Sequence, residues 1–286
     1  MSVLRHSRGE VELGRCLVMG IVNRTPDSFY DGGRMDLAES VAFAERLVDE
    51  GAALLDLGAV KAGPGDDVTE AEELERLVPL VEAVGARVEV PLSVETGRAS
   101  VARRAIEAGA AIVNDVTGLA DAALAGVCAE AGAALVVMHH GGQVRGRPRN
   151  PRYDDVVKAV IDACEALAAR AEADGVPRDR IVVDPGLDFG KTTFHSLELM
   201  RRLAEIVATG WPVLVAPSRK DVVGETLGLP LNERLEGTLA LVALSAAAGA
   251  AIVRVHDVRA AVRVVSMIDA VAGRAAPVAP VRGLWE

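Results

Sequence analysis

Aromatic side chains are scarce in this sequence: four Phe, two Tyr and two Trp make up 3% of 286 residues. Half of the chain is hydrophobic, so its core must be built from Ala, Val, Leu and Ile. Cysteine is scarce too, with Cys16, Cys128 and Cys164 far apart and no CxxC pair. That spacing excludes a disulfide framework and a thiolate zinc site, and the apolar neighbours of each thiol predict burial. No GxGxxG follows the first apolar run, which removes the dinucleotide-binding signature. The longest apolar run lies within residues 237–253, but Thr238, Ser245 and Gly249 interrupt it. It reads as a buried helix followed by a buried strand, not as a membrane span. Basic residues are outnumbered 31 to 41, giving a net charge of −10. Such a chain has no general attraction for nucleic acid or anionic membrane, so any anion it binds must meet local positive charge. No apolar leader follows Met1, and with the unpaired cysteines this sets the expectation of a cytoplasmic protein.

What is present is an alternation. Short apolar runs at 16–22, 53–57, 91–94, 111–113, 134–138, 181–183, 212–216 and 252–253 read as strands. Helix-length amphipathic stretches lie between them, among them 37–50, 69–84, 98–108, 153–173, 196–208 and 234–248. The strands are continuous apolar runs, as expected of parallel strands covered on both faces. Gly51-Ala52, Gly109-Ala110, Gly132-Ala133 and Gly249-Ala250 recur at helix-to-strand junctions, where glycine caps a helix end. Eight such units in one chain predict an α/β fold, a single-domain (β/α)8 TIM barrel, with a doubly wound open sheet as the alternative. Residues 1–15 are expected to cover the barrel bottom, 16–274 to form the barrel, and 275–286 to be a tail rich in Pro and Gly.

In this fold, chemistry gathers where strands end. Those positions hold Asn23, Glu95, Asn114-Asp115, Asp184, then Ser218-Arg219-Lys220 after the seventh strand and Arg254-Val255-His256-Asp257 at the eighth. Taken singly, each Asp or Asn reads equally well as the cap of the next helix. Taken together, carboxylates and amides face cations across one mouth. Carboxylates can accept from a ring offering adjacent N–H donors, and the cations can hold a phosphate or pyrophosphate. His139-His140 is not read as a metal pair, because adjacent side chains point apart. Arg145, Arg147, Arg149 and Arg152 form a basic loop, read as a solvated face or a lid.

Four segments resemble the signatures of dihydropteroate synthases: Asn23 to Phe29, Asp184-Pro185-Gly186 with Phe189-Gly190-Lys191, Ser218 to Lys220, and Arg254 to Asp257. The resemblance spans roughly residues 11–271. Enzymes of that family join a 7,8-dihydropterin pyrophosphate to p-aminobenzoate in a barrel, with Mg2+ helping pyrophosphate to leave, and are commonly homodimers. By this resemblance Asn114 and Asp184 read the pterin edge, and Glu95, Phe189 and Lys220 complete its pocket. Arg254 and His256 hold the pyrophosphate, with Asn23 acting through Mg2+, and Ser218 and Arg219 are further substrate-binding residues. Thr25 and Asp27 close over the reacting centre, and Lys220 joins them in catalysis.

The sequence also departs from that family. Val60, Lys61, Ala62 and Gly63 stand where the second loop usually reads Glu-Ser-Thr-Arg, removing a hydroxyl and a guanidinium. Lys61 lacks the planar fork of Arg. Glu95 replaces an Asp, and Asp188 replaces a Gly; Arg24 and Tyr30 replace smaller residues. The pattern resembles a divergent actinobacterial second-copy branch suspected of lacking the reaction. The expectation is a synthase-like protein with reduced or lost activity. The alternatives are a fully active synthase and a pterin-dependent methyltransferase domain that meets a corrinoid partner.

Overall fold

Two apolar cores are separated by a rule of period two. Along the strands, Val18, Val22, Leu55, Leu57, Val94, Val113, Leu135, Val137, Val183, Val215, Val253 and Val255 pack outward against helices. The residues between them, Leu17, Met19, Leu54, Ile112, Ala134, Val136, Val182, Leu214 and Ile252, pack together inside. Side chains of a strand alternate between faces, so a sheet apolar on both must be covered on one side and closed on itself on the other.

The computed structural model describes residues 3–23, 36–60, 68–142 and 150–282. Among these the chain runs β1 (Val3–His6), β2 (Gly9–Glu12), β3 (Leu17–Asn23), α1 (Leu37–Asp49), β4 (Leu54–Gly58), α2 (Glu70–Gly85), β5 (Leu92–Glu95) and α3 (Ala99–Ala108). It continues with β6 (Ile112–Asp115), α4 (Leu124–Ala131), β7 (Ala134–Met138), α5 (Val156–Ala173) and β8 (Ile181–Asp184). Then come α6 (Thr193–Arg201), α7 (Leu203–Val207), β9 (Leu214–Val215), α8 (Asp221–Leu227), α9 (Leu235–Ala248), β10 (Ile252–Val255) and α10 (Val258–Val271). Strands β3 to β10 form one parallel sheet in the order β8-β7-β6-β5-β4-β3-β10-β9. A parallel bridge between Val183 and Val213, with Val183 N–H donating to Pro212 O at 2.9 Å, joins β8 to β9 and closes the (β/α)8 barrel.

Side-chain caps set four of the ten α-helix starts among the described residues. Asp36 and Glu39 form a reciprocal capping box on α1, as do Thr69 and Glu72 on α2. The four Gly-Ala junctions behave as expected: Gly51, Gly109, Gly132 and Gly249 all have positive φ. The stretch 153–173 starts later than its pattern suggests, because the Asp155 carboxylate caps the N–H groups of Val157 and Lys158. The stretch 196–208 is two helices, not one. Thr192 caps α6 earlier, and Arg202 leaves helical geometry to bind Asp155 and Glu205. The strand expected at 212–216 is only Leu214–Val215.

β1 and β2 form an antiparallel hairpin that the sequence pattern had not distinguished. Leu4, fully buried, joins the interior core with Leu17, Met19 and Leu54. No helix among the described residues is long and apolar enough to cross a membrane. Leu4→Ala should lower unfolding stability by about 2–5 kcal/mol, the cost of a buried cavity, whereas truncating the half-exposed Leu227 should stay within about 0.5 kcal/mol. Urea unfolding of both variants checks this; equal small losses would mean that the hairpin does not seal the interior.

Candidate functional site

The inward parity that fills the lower barrel with Leu, Ile and Val places polar side chains above them. Asp56 follows Leu54, Asn114 follows Ile112, Asp184 follows Val182, and Arg254 follows Ile252. Register then aligns strands: Asn23 pairs with Gly58, Gly58 with Glu95, and Glu95 with Asn114, while Asp56 pairs with Ser93 one step below. One row of the barrel therefore carries an amide, a carboxylate and a second amide side by side. Gly58 leaves the room: a Cβ there would lie 2.5 Å from Asn23 Oδ1.

The centre of this layer is Arg254. Its Nε donates to Asp56 Oδ2 at 2.6 Å and its Nη2 to Glu95 Oε2 at 2.6 Å. Asp56 Oδ2 also accepts from Asn114 Nδ2 at 3.1 Å. Burial raises the Glu95 carboxyl to about 7, against the opposing pull of the Arg254 guanidinium. Burial likewise raises Asp184, opposed by Lys220 and by the Gly186 N–H, which donates to Asp184 Oδ1 at 2.7 Å. Three buried acceptors here have no hydrogen-bond partner among the described residues: Asp56 Oδ1, Asn114 Oδ1 and Ser93 Oγ. Buried polar atoms are seldom left so, and a ligand offering N–H donors would satisfy them.

Asp56 and Ser93 were not among the residues singled out from the sequence. Their signal was available: a carboxylate inside the apolar strand Leu54-Leu55-Asp56-Leu57 must have a partner, since burying it alone is costly.

On the opposite wall, Lys220 Nζ donates to Leu187 O at 2.8 Å and sits 4.9 Å from the centroid of the Phe189 ring. Burial lowers its pKa, while Asp184 and Asp188 oppose that shift. The loop it touches is held from behind. Lys191, buried, donates to Gly186 O, Phe189 O and His139 O and lies 2.7 Å from His139 Nδ1. Burial pulls this amine down to about 7. His139 is thus bonded to a lysine. Gly141 and Gly190 touch through their backbones: a Cβ on Gly190 would come within 2.5 Å of Gly141 Cα.

Asp188 fits its place. Its φ of 68° is left-handed, which Asp tolerates and which suits the Gly expected there. Its carboxylate accepts from Ser196 Oγ at 2.9 Å and from Val222 N–H at 3.0 Å, so the charge is paired. His256 Nδ1 lies 2.9 Å from Ser218 Oγ, and burial, helped by Arg254, lowers its pKa to about 4. Arg219 forms a two-pronged pair with Asp257 at 3.0 and 2.9 Å and donates to Leu231 O, tying β9 to β10 rather than joining the Arg254 cluster. Val60 is half-buried just beyond β4. Thr25, Asp27, Lys61, Ala62, Gly63 and the loop residues Arg145, Arg147 and Arg149 lie outside the described residues; Arg152 is exposed. Among the described residues no group of three His, Cys, Asp or Glu could hold a metal ion. Asn23 Oδ1 is a hard oxygen at the mouth, of the kind Mg2+ takes alongside water and substrate phosphate.

Because Glu95 titrates higher folded than unfolded, the native state holds its proton longer. Stability should therefore fall as pH rises from an ordinary glutamate value of about 4.3 to about 7. Glu95→Gln cannot lose a proton and should escape that part of the decline. Its stability relative to the native chain should climb across this window and level off above it. Parallel stability–pH curves would show that Glu95 stays ionised throughout.

Comparison with known proteins places this geometry. A family model described as "Pterin binding enzyme" matches residues 19–256. A protein of Mycobacterium leprae (strain TN) named "Inactive dihydropteroate synthase 2" is 50% identical over 281 residues, covering 96% of this chain and 97% of its own. The dihydropteroate synthase of Bacillus subtilis (strain 168) is 42% identical over 260 residues, covering 90% of this chain and 88% of its own. The structure of Xanthomonas albilineans dihydropteroate synthase with 4-aminobenzoic acid superposes with a TM-score of 0.88 at 38% identity, covering 96% of this chain and all of that one.

Proposed function

This chain belongs to the pterin binding enzyme family, and from that premise we propose that it is a dihydropteroate-synthase-like protein that keeps the pterin pocket while its synthase turnover is reduced or lost. The observation that carries the reading is the set of unsatisfied acceptors at the barrel floor, Asp56 Oδ1, Asn114 Oδ1 and Ser93 Oγ, beside the buried carboxyls of Glu95 and Asp184. An aminopyrimidinone edge offers adjacent N–H donors that match them. Phe189 and Lys220 flank the ring from the other wall.

In the synthase reaction p-aminobenzoate attacks the exocyclic methylene of the pterin and pyrophosphate departs. We assign Arg254, His256 and Ser218 to that anion, and Asn23 Oδ1 would hold Mg2+, which neutralises charge on the leaving pyrophosphate when bound. Lys220 orients the ring through its own anchored position on Leu187 O. Thr25 and Asp27 are assigned to the closing loop. The 4-aminobenzoate of the Xanthomonas structure supports p-aminobenzoate as the second substrate class. The loss of activity rests on the Val60–Gly63 replacements and on the mycobacterial relative named inactive. Three buried free thiols suit a reducing compartment, so we assign the protein to the cytoplasm.

A second copy of the chain is the partner that the surface suits. Beyond Glu236 in its first turn, helix α9 carries no charged residue, and a helix so rich in apolar side chains is normally enclosed. Here Ala240, Leu244 and Ala247 are exposed on it, with Met267 and Val271 exposed on the neighbouring α10. Sedimentation at micromolar concentration should give a dimer, and Leu244→Glu should shift it to monomer; a native chain that sediments as a monomer would overturn the homodimer.

The reading is tested by p-aminobenzoate-dependent pyrophosphate release with Mg2+ and dihydropterin pyrophosphate, beside the Bacillus subtilis enzyme. Turnover should fall at least about a hundredfold below that control, the scale set by an ångström-level misplacement of reacting groups. Comparable turnover would refute the loss. Reduced pterin should still bind, and Lys220→Ala should weaken it by about tenfold or more. Binding unchanged in that variant would remove Lys220 from the pocket.

A further inference from the structure

We propose that Glu95 competes with a substrate's anionic tail for Arg254, so that this pocket selects reduced pterins with an uncharged side chain over their diphosphate esters. The proposal rests on the pterin-pocket reading above and names which members of that class the site takes.

The geometry starts with the guanidinium. Asp56 and Glu95 approach it from two strands, β4 and β5, and accept from Nε and Nη2, the two nitrogens of one edge. That edge is one of the two a phosphate could grip with two parallel hydrogen bonds. Both N–H of Nη1 and one of Nη2 lie outside these two contacts. An incoming diphosphate must displace a carboxylate at 2.6 Å or bind the outer Nη1–Nη2 edge with its negative charge set beside those of Asp56 and Glu95. Displacement is costly, because Glu95 is buried and its released charge would keep only the weaker pull of Lys220 among the described cations that act on it.

Three other described cations at this end of the barrel are already bonded. Lys220 is bound to Leu187 O, Arg219 to Asp257 and Leu231 O, and Lys191 to the carbonyls of His139, Gly186 and Phe189. Around Glu95 itself stand Arg254 from β10, Lys220 from the loop after β9, Asp56 from β4 and Glu73 from α2, while Asp184 of β8 faces both Arg254 and Lys220. Asp56, Glu95 and Asp184 thus outnumber Arg254 and Lys220 when all are ionised. An uncharged hydroxymethyl pterin meets the floor acceptors without disturbing this arrangement. Protonation of Glu95, which its burial brings near neutral pH, removes the competitor and one negative charge together.

The test is calorimetric binding of two probes, hydroxymethyl dihydropterin and its diphosphate with Mg2+, to the native protein, Glu95→Gln and Glu95→Asp. At about pH 8, where Glu95 is ionised, the native chain should prefer the uncharged probe by about tenfold or more, the scale of a lost charge-assisted bond. Glu95→Gln should tighten the diphosphate by about the same factor and leave the uncharged probe within about threefold. Glu95→Asp, whose shorter arm reaches Arg254 less well, should fall between. Lowering the pH to about 6 should narrow the native preference and leave that of Glu95→Gln unchanged, which separates the effect from titration of the diphosphate itself. A native chain that binds the diphosphate as tightly as the uncharged probe at the higher pH, or variants that change both probes alike, would overturn the proposal. If neither probe binds any of the three folded proteins, the pterin pocket reading itself fails.

Discussion

The site depends on one positive charge held inside an aliphatic barrel. Arg254 rises from the layer of Ile252, Leu54 and Ile112 and is accommodated because two carboxylates reach it from adjacent strands. Everything around it follows. Asp56 must lie inside an otherwise apolar strand to meet it, and Asn114 is turned by donating to the same Asp56 oxygen. Glu95 is drawn to the pair although its surroundings favour its neutral form. Two of the orphaned oxygens of the floor, Asp56 Oδ1 and Asn114 Oδ1, are what remains when the other polar atom of each side chain is bound within the cluster.

The mouth therefore has two halves of different character. On the β4–β6 side, polar groups bind each other and leave acceptors pointing inward. On the β8–β9 side, lysines bind backbone carbonyls, so the wall is set by main-chain geometry. A ligand that donates on one side and stacks on the other fits between them, as a reduced pterin would. Arg219 and Asp257 serve the frame by locking the ends of β9 and β10 together.

Much of this was legible in the sequence, for a physical reason. Strand ends are where an apolar pattern stops, so Glu95, Asn114, Asp184 and Arg254 announce themselves by interrupting it, and the Gly-Ala junctions mark the repeating unit. Asp56 and Ser93 were harder to see because they lie inside their strands, where only the inward parity of neighbours distinguishes a site residue from a core one. The break at Arg202 could not be read because it depends on Asp155, which comes from another helix. Arg219, beside Ser218 and Lys220, reads as an anion ligand; its pair with Asp257 could not be read, because the two are brought close only by the pairing of β9 with β10. The N-terminal hairpin has no alternation strong enough to stand out, and its fit comes from Leu4 finding the open end of the barrel.

The backbone contact between Gly141 and Gly190 has a consequence for descent. Neither position can accept a side chain by an offsetting change in the other, since each would drive a Cβ into main-chain atoms. The Lys191 side of the mouth is thus closed to gradual remodelling, and lineages that diverge in what they bind must do so at its movable side chains. Glu95, whose carboxylate holds one edge of Arg254, is such a side chain. Ancestry can then preserve the shape of a pocket long after its selection for one substrate has relaxed.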